Sequence, residues 1–190
     1  MTRIAIILGS TRTGRKSEAV GDWVFAAASQ RDDAEFEIVD LRDFDLPFFD
    51  EEISPAWQPS SDPRVQAWSD KIAGFDGFVF VTPEYNHSTS AVLKNAIDYL
   101  YSEWNNKAAA FVGYGGAGGA RAVEHLRLIA AELEIATVRH QVALSLLTDF
   151  ENYTELTPSA YQVQNLGKAL DGVVAWAKAL EPLRATALAA

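Results

Sequence analysis

Three short runs of this chain, Ile4–Leu8, Phe78–Val81 and Ala108–Gly113, are apolar at every position. A strand with no polar residue on either face has to be buried on both, which is the condition of a parallel sheet covered by helices on its two sides. Two further strands are expected at Phe36–Val39 and Thr137–Val142, with Phe36–Val39 at the sheet edge. Between them lie stretches of helical period at Ser17–Ala28, Pro63–Ala73, Ser90–Leu100, Ala120–Leu133 and Ser159–Leu180. Strand and helix alternating in this way specify a doubly wound α/β sheet of five parallel strands.

The helix patterns carry their own punctuation. Asp62-Pro63 supplies an N-cap followed by proline in the first turn, and Val65, Trp68 and Ile72 then share one face. Thr157-Pro158 repeats the device before the last helix. Leu93, Ile97 and Leu100 form one inner stripe, and Val123, Leu126, Ala130 and Leu133 another. The segment Leu41–Ser61 has no period but holds Phe44, Phe48, Phe49 and Trp57, so either a function, a subunit contact or a surface crossover with its aromatics tucked beneath it is expected there. The tail Arg184–Ala190 is expected to fray.

Composition narrows the chemistry. A chain of 190 residues suits a single domain, 1–190, and the absence of cysteine removes disulfides, thiolate nucleophiles, iron–sulfur clusters and cysteine-ligated zinc. Sixteen Lys and Arg against 26 Asp and Glu give a net charge of −10, with no basic run to follow a nucleic-acid backbone. The three histidines are isolated, so no metal site is expected. The first apolar run is too short for a signal peptide or a membrane span, which points to the cytoplasm.

In a doubly wound sheet, ligands bind at the carboxyl ends of the strands near the reversal of strand order. Three loops therefore matter: Gly9–Lys16, Thr82–Thr89 and Tyr114–Gly119. The first, Gly-Ser-Thr-Arg-Thr-Gly-Arg-Lys-Ser, runs directly into a helix and combines turning glycines, hydroxyl donors and arginines, a composition suited to phosphate. It misses the nucleotide triphosphatase pattern because Arg15 stands where that lysine belongs, and Val81 is followed by Thr82-Pro83, not by an acidic residue. Gly113–Gly118 matches G-x-G-x-x-G literally, but at the end of the fourth strand of the sheet instead of the first, and without an acidic residue closing the next strand. Its glycines instead suit a flat ring lying against bare backbone. In the second loop Pro83 stiffens the strand exit, Tyr85 offers a planar face and Asn86 an adaptable donor and acceptor. His87 has no partner residue nearby in sequence, and Ser10 and Ser88 lack a hydrolase context, so no side chain is assigned a catalytic role.

Taken together, Gly9-Ser10-Thr11-Arg12 with Gly14-Arg15, Pro83-Glu84-Tyr85-Asn86-His87-Ser88 with Leu93–Asp98, and Tyr114-Gly115-Gly116 with Gly118-Gly119 resemble the flavodoxin-like NAD(P)H-dependent FMN reductases, a group including quinone, azo-dye and chromate reductases. The resemblance spans Ile4 to Leu146. It implies a bound FMN whose phosphate contacts Ser10, Arg12, Arg15 and Ser17, with the ring between Pro83, Glu84, Tyr85 and Asn86 on one side and Tyr114, Gly115, Gly116, Gly118 and Gly119 on the other. It also implies a homodimer or homotetramer, and hydride transfer from NADPH or NADH to flavin N5 and on to a small acceptor. An acidic one-electron carrier docking on a basic protein partner is the alternative that the net charge allows.

Overall fold

The computed structural model describes residues 1–187. Five parallel strands, β1 (Arg3–Leu8), β2 (Glu35–Asp40), β3 (Gly77–Pro83), β4 (Ala108–Gly115) and β5 (Ala136–Ser145), lie in the order β2-β1-β3-β4-β5. This is the flavodoxin-like order, with the reversal between β1 and β3, and β2 stands at the edge as its mixed composition requires. Side chains alternate across each strand, so β1 sends Ile4, Ile6 and Leu8 to one face and Ala5 and Ile7 to the other. The first face packs on α1 (Ser17–Ala28) and α5 (Ala160–Ala179), the second on α2 (Pro63–Ala73), α3 (Ala91–Asp98) and α4 (Ala120–Glu132).

The expected stripes are all in the core, including Leu100 and Leu133 just beyond their helices. Asp62 caps α2 as read, accepting from the Arg64 N–H at 2.8 Å. The last long helix is capped differently. Ser159 accepts from the Gln162 N–H at 3.4 Å, and Thr157-Pro158 lies outside the helix, because a buried Asp149 carboxylate accepts the Ser159 N–H at 3.1 Å and sets where the chain turns. A short hairpin of β6 (Phe150–Glu151) and β7 (Glu155–Leu156) precedes it.

The tail also differs from expectation. Glu181–Ala187 forms α6, and Arg184 donates to the Asn106 carbonyl at 3.1 Å and to Asp76 at 2.9 Å. Residues 188–190 lie outside the described residues. The segment after β2 opens with a 3₁₀ turn, Leu41–Asp43, and Asn95 on α3 then holds it by donating to the Pro47 carbonyl and accepting the Phe49 N–H. Phe44 packs edge-on against Trp68, and Phe49 against Tyr99, whereas Phe48 and Trp57 are each 85% exposed. Half of its aromatics are thus tucked under and half are presented to solvent. Among the described residues no helix is long and apolar enough to cross a membrane.

At the end of the sheet opposite the loops, buried Lys107 donates to the last carbonyls of α2, Ile72 and Ala73, at 2.9 and 3.2 Å. Burial pushes its pKa down to about 8. The unfolded chain keeps that proton up to about pH 10.4, so between these values the unfolded state binds more protons and stability rises with pH. Compared with Lys107→Met, the wild-type protein is expected to gain on the order of 3 kcal/mol between pH 8 and 10.5. Urea titrations across that range check this, and a constant difference between the two proteins would refute it.

Candidate functional site

The three loops converge at the carboxyl ends of β1, β3 and β4, as the topology demands. The first is tied down at its start. The Gly9 N–H donates to Val81 O at 2.8 Å, and the Ser90 hydroxyl donates to Gly9 O while also capping α3. Ser10 is fully buried, and its Oγ meets the Tyr85 hydroxyl at 2.9 Å and accepts the Arg12 N–H at 3.3 Å. The first and second loops are therefore linked through side chains.

Arg15 stands at the opening beside this loop. Its guanidinium, 1% exposed, is directed into the protein and donates to the Ser10 carbonyl, to both Asp40 oxygens and to Glu18. Every face of the fork is occupied, so Arg15 builds the loop and has no donor left for a phosphate. The hydrogen bond to Asp40 raises its pKa further. The Arg12 side chain, by contrast, is exposed and meets no acceptor among the described residues.

Beneath the loop, Ser17 Oγ and Tyr114 Oη are buried with no hydrogen bond of good geometry among the described residues. Ser17 opens α1, where no side chain caps the helix and the first-turn N–H groups lack backbone acceptors. Burial raises the Tyr114 pKa, which keeps its hydroxyl a neutral donor. Tyr114 lines one opening of about 200 Å³ together with Arg12, Arg15, Lys16, Tyr85 and Leu146, and Ser17 lies buried at the start of the helix that follows the loop. An anion with several acceptor oxygens satisfies all of these donors together. FMN, with a phosphate, a hydroxylated chain and a planar ring, fits this donor set.

The second loop is a turn closed on itself. Tyr85 and Ser88 exchange backbone hydrogen bonds of 2.9 and 3.2 Å, while Asn86 and His87 have φ of 48° and 73°. This is the I′ arrangement, here carrying two non-glycine residues in the left-handed region, a strain that marks functional loops. The Glu84 N–H donates to Tyr114 O at 3.0 Å, joining the second loop to the third. The Glu84 carboxylate is nearly buried and is held by Arg121, whose N–H and guanidinium both donate to it at the start of α4. Burial opposes its ionisation, but these bonds outweigh burial and keep its pKa below the ordinary value. Glu84 is thus a remote cap for α4, and its side chain is not free for a ligand. Arg121 also donates to His87 Nδ1 at 3.1 Å. His87 is exposed, and its ring lies 6.4 Å from that of His125 on α4.

In the third loop the glycines divide by role. A Cβ on Gly116 would meet nothing within 4 Å, and this residue is exposed at the lip. Gly118 and Gly119 are buried at φ of 66° and 71°, and a Cβ on Gly119 would stand 2.6 Å from the Tyr114 nitrogen. These two serve the turn, because Ala143 stands against Gly118, and the backbone of Gly113 and Tyr114 against Gly119, where a side chain would go. Asp40 and Arg42, which sequence reading passed over, also belong to the site. Their side-chain partners in the first loop and α1 are 24 to 31 residues away, and no local pattern announces them.

Sheet order, a ligand opening at the reversal point and a phosphate-type loop define a flavodoxin-like α/β protein. The chain resembles the flavoenzyme NAD(P)H:(acceptor) oxidoreductase of Paracoccus denitrificans in fold, with a TM-score of 0.73 at 23% identity over 94% of this chain and 98% of that one. It is 36% identical over 168 residues to an NAD(P)H-dependent FMN reductase of Schizosaccharomyces pombe, covering 87% of this chain and 84% of that protein. It is also 34% identical over 141 residues to a 2-hydroxy-1,4-benzoquinone reductase of a Burkholderia species, covering 70% and 72%. The model of the NADPH-dependent FMN reductase family matches residues 2–149. The chain belongs to that family of oxidoreductases.

Proposed function

We propose that this chain binds FMN in the opening above Ser17 and Tyr114 and uses NADPH or NADH to reduce a small quinone-type acceptor. The observation that carries the reading is the set of unsatisfied donors there: two buried hydroxyls, the α1 N–H groups and Arg12. When bound, the flavin supplies the hydride chemistry. Ser10, Arg12 and Ser17 hold the phosphate, Tyr114 donates from below, and Pro83, Tyr85 and Asn86 flank the ring opposite Gly115 and the open Gly116. Arg15, Glu84, Gly118 and Gly119 build the walls. The whole chain acts as one cytoplasmic flavin-binding unit. The exposed Phe48 and Trp57 serve a homodimer or homotetramer, in which a second copy covers their apolar surface.

The test is direct. Protein loaded with FMN is expected to be yellow and to bleach anaerobically on addition of NADPH or NADH, with colour restored by a quinone. Failure to retain flavin, or no bleaching with either nicotinamide, would refute the proposal. Tyr114→Phe separates binding from folding. It removes an unpaired buried hydroxyl, so the flavin-free protein is expected to gain about 1 kcal/mol. FMN affinity is expected to fall by roughly twofold to tenfold. Thermal melts with and without FMN read both, and a variant unchanged in both would argue that the hydroxyl faces no ligand.

A further inference from the structure

Arg42 donates to three groups of the first loop region from outside: Nε and Nη2 to Thr11 O at 3.3 and 3.2 Å, Nη2 to Arg12 O at 2.9 Å, and Nη1 to Glu18 at 3.3 Å. From beneath, Arg15 donates to Ser10 O at 2.6 Å. Three consecutive carbonyls, those of Ser10, Thr11 and Arg12, thus accept from guanidinium groups. Asp40, the last residue of β2, orients both arginines. Its carboxylate pairs with Arg15 and accepts the Arg42 N–H at 2.9 Å.

A trans peptide points its N–H opposite to its C=O. Fixing the carbonyls of Ser10, Thr11 and Arg12 therefore turns the N–H groups of Thr11 and Thr13 away from the guanidinium groups, while the Arg12 N–H stays on Ser10 Oγ. N–H groups held facing one side make a concave anion site. A loop containing Gly9 and Gly14 would otherwise sample peptide orientations that present carbonyls to the ligand. We infer that Arg42 and Asp40 are positioning residues that lock the first loop in its phosphate-accepting form, so that the protein favours phosphorylated flavin over the unphosphorylated ring. This rests on the FMN reading above, and it assigns the selectivity to a fork geometry rather than to positive charge alone.

FMN and riboflavin share a ring and differ in the phosphate, so their affinity ratio isolates the loop. Wild-type protein is expected to bind FMN far more tightly than riboflavin, with inorganic phosphate competing against FMN only. In Arg42→Ala, FMN affinity is expected to fall roughly tenfold, the loss of about 1.4 kcal/mol of orientation, while riboflavin affinity stays within about twofold. Arg42→Lys keeps the charge but loses the planar fork, and it is expected to behave like the alanine variant. Asp40→Asn is expected to act in the same direction. Arg42 lies at the surface, so it remains informative should Asp40→Asn not fold. Rescue by lysine, equal loss of both flavins, or an unchanged ratio would overturn the inference. Wild-type protein that binds neither flavin would overturn the FMN reading itself.

Discussion

Gly119→Ala is expected to lower the stability of the flavin-free protein by about 3 to 5 kcal/mol, a large part of what a domain of this size has to lose. Two causes add. Alanine in the left-handed region costs about 1 to 2 kcal/mol, and Gly119 has φ of 71°. The new methyl would also meet backbone, the Tyr114 nitrogen at 2.6 Å and the Gly113 Cα at 2.7 Å, and neither can rotate aside as a side chain would. The remaining cost is therefore that of overpacking without relief. Thermal melting is expected to drop by on the order of 10 °C. Gly116→Ala is the control. With nothing within 4 Å of the added carbon, its stability is expected to change by less than about 0.5 kcal/mol. A bulky residue at Gly116, such as tryptophan, is expected to leave folding intact and to weaken flavin binding. If Gly119→Ala melted like wild type, the close approach of Gly113 to the third loop would be wrong.

The second large effect is expected at Arg15. Arg15→Met keeps much of the volume but leaves Asp40 without its partner at a loop that three elements share, which is expected to cost about 3 kcal/mol. The sign of its pH dependence follows from Asp40. Burial raises the Asp40 pKa, but the hydrogen bonds from Arg15 and Arg42 outweigh burial and hold it below the ordinary value. A carboxyl with a lowered folded pKa contributes stability above its unfolded value, about 3.9, and loses it as pH falls through the folded one. The gap between wild type and Arg15→Met is thus expected to be full at neutral pH and to close only in strong acid. Denaturant titrations at pH 7 and pH 3 measure it. A gap that widened on acidification would mean that the pair does not stabilise the fold.

Both experiments concern residues that the resemblance assigns to the flavin and that the structure engages within the protein, and the reason is physical. Arginine after a glycine-rich loop is suited to phosphate whether or not its fork is already occupied. Only the neighbouring strand β2, which places Asp40 beside the loop, occupies it. A glycine pair likewise reads the same whether a ligand or the protein's own backbone comes close. Gly118 and Gly119 face backbone, and Gly116 faces open space. Glu84 was legible as part of the motif but not as the cap of α4, since Arg121 is 37 residues away. Composition at a strand end points to Ser10 and Arg12, and in the structure Ser10 Oγ accepts the Arg12 N–H while only Arg12 lines the opening.

The sequence by itself determined the layers of this protein: which runs are strands, which faces are buried, and that the three loops gather at one edge. Those features follow from the spacing of apolar residues at two and at 3.6, which is local, and from the single hand of parallel crossovers. Tertiary structure alone decided which polar groups remain unpaired. Arg15 and Arg12 stand three residues apart in one loop, yet one is sealed by Asp40 and Glu18 and the other is left free. Charge pairing depends on what the sheet order brings within a few ångströms, and that distance is not written in any single segment of the chain.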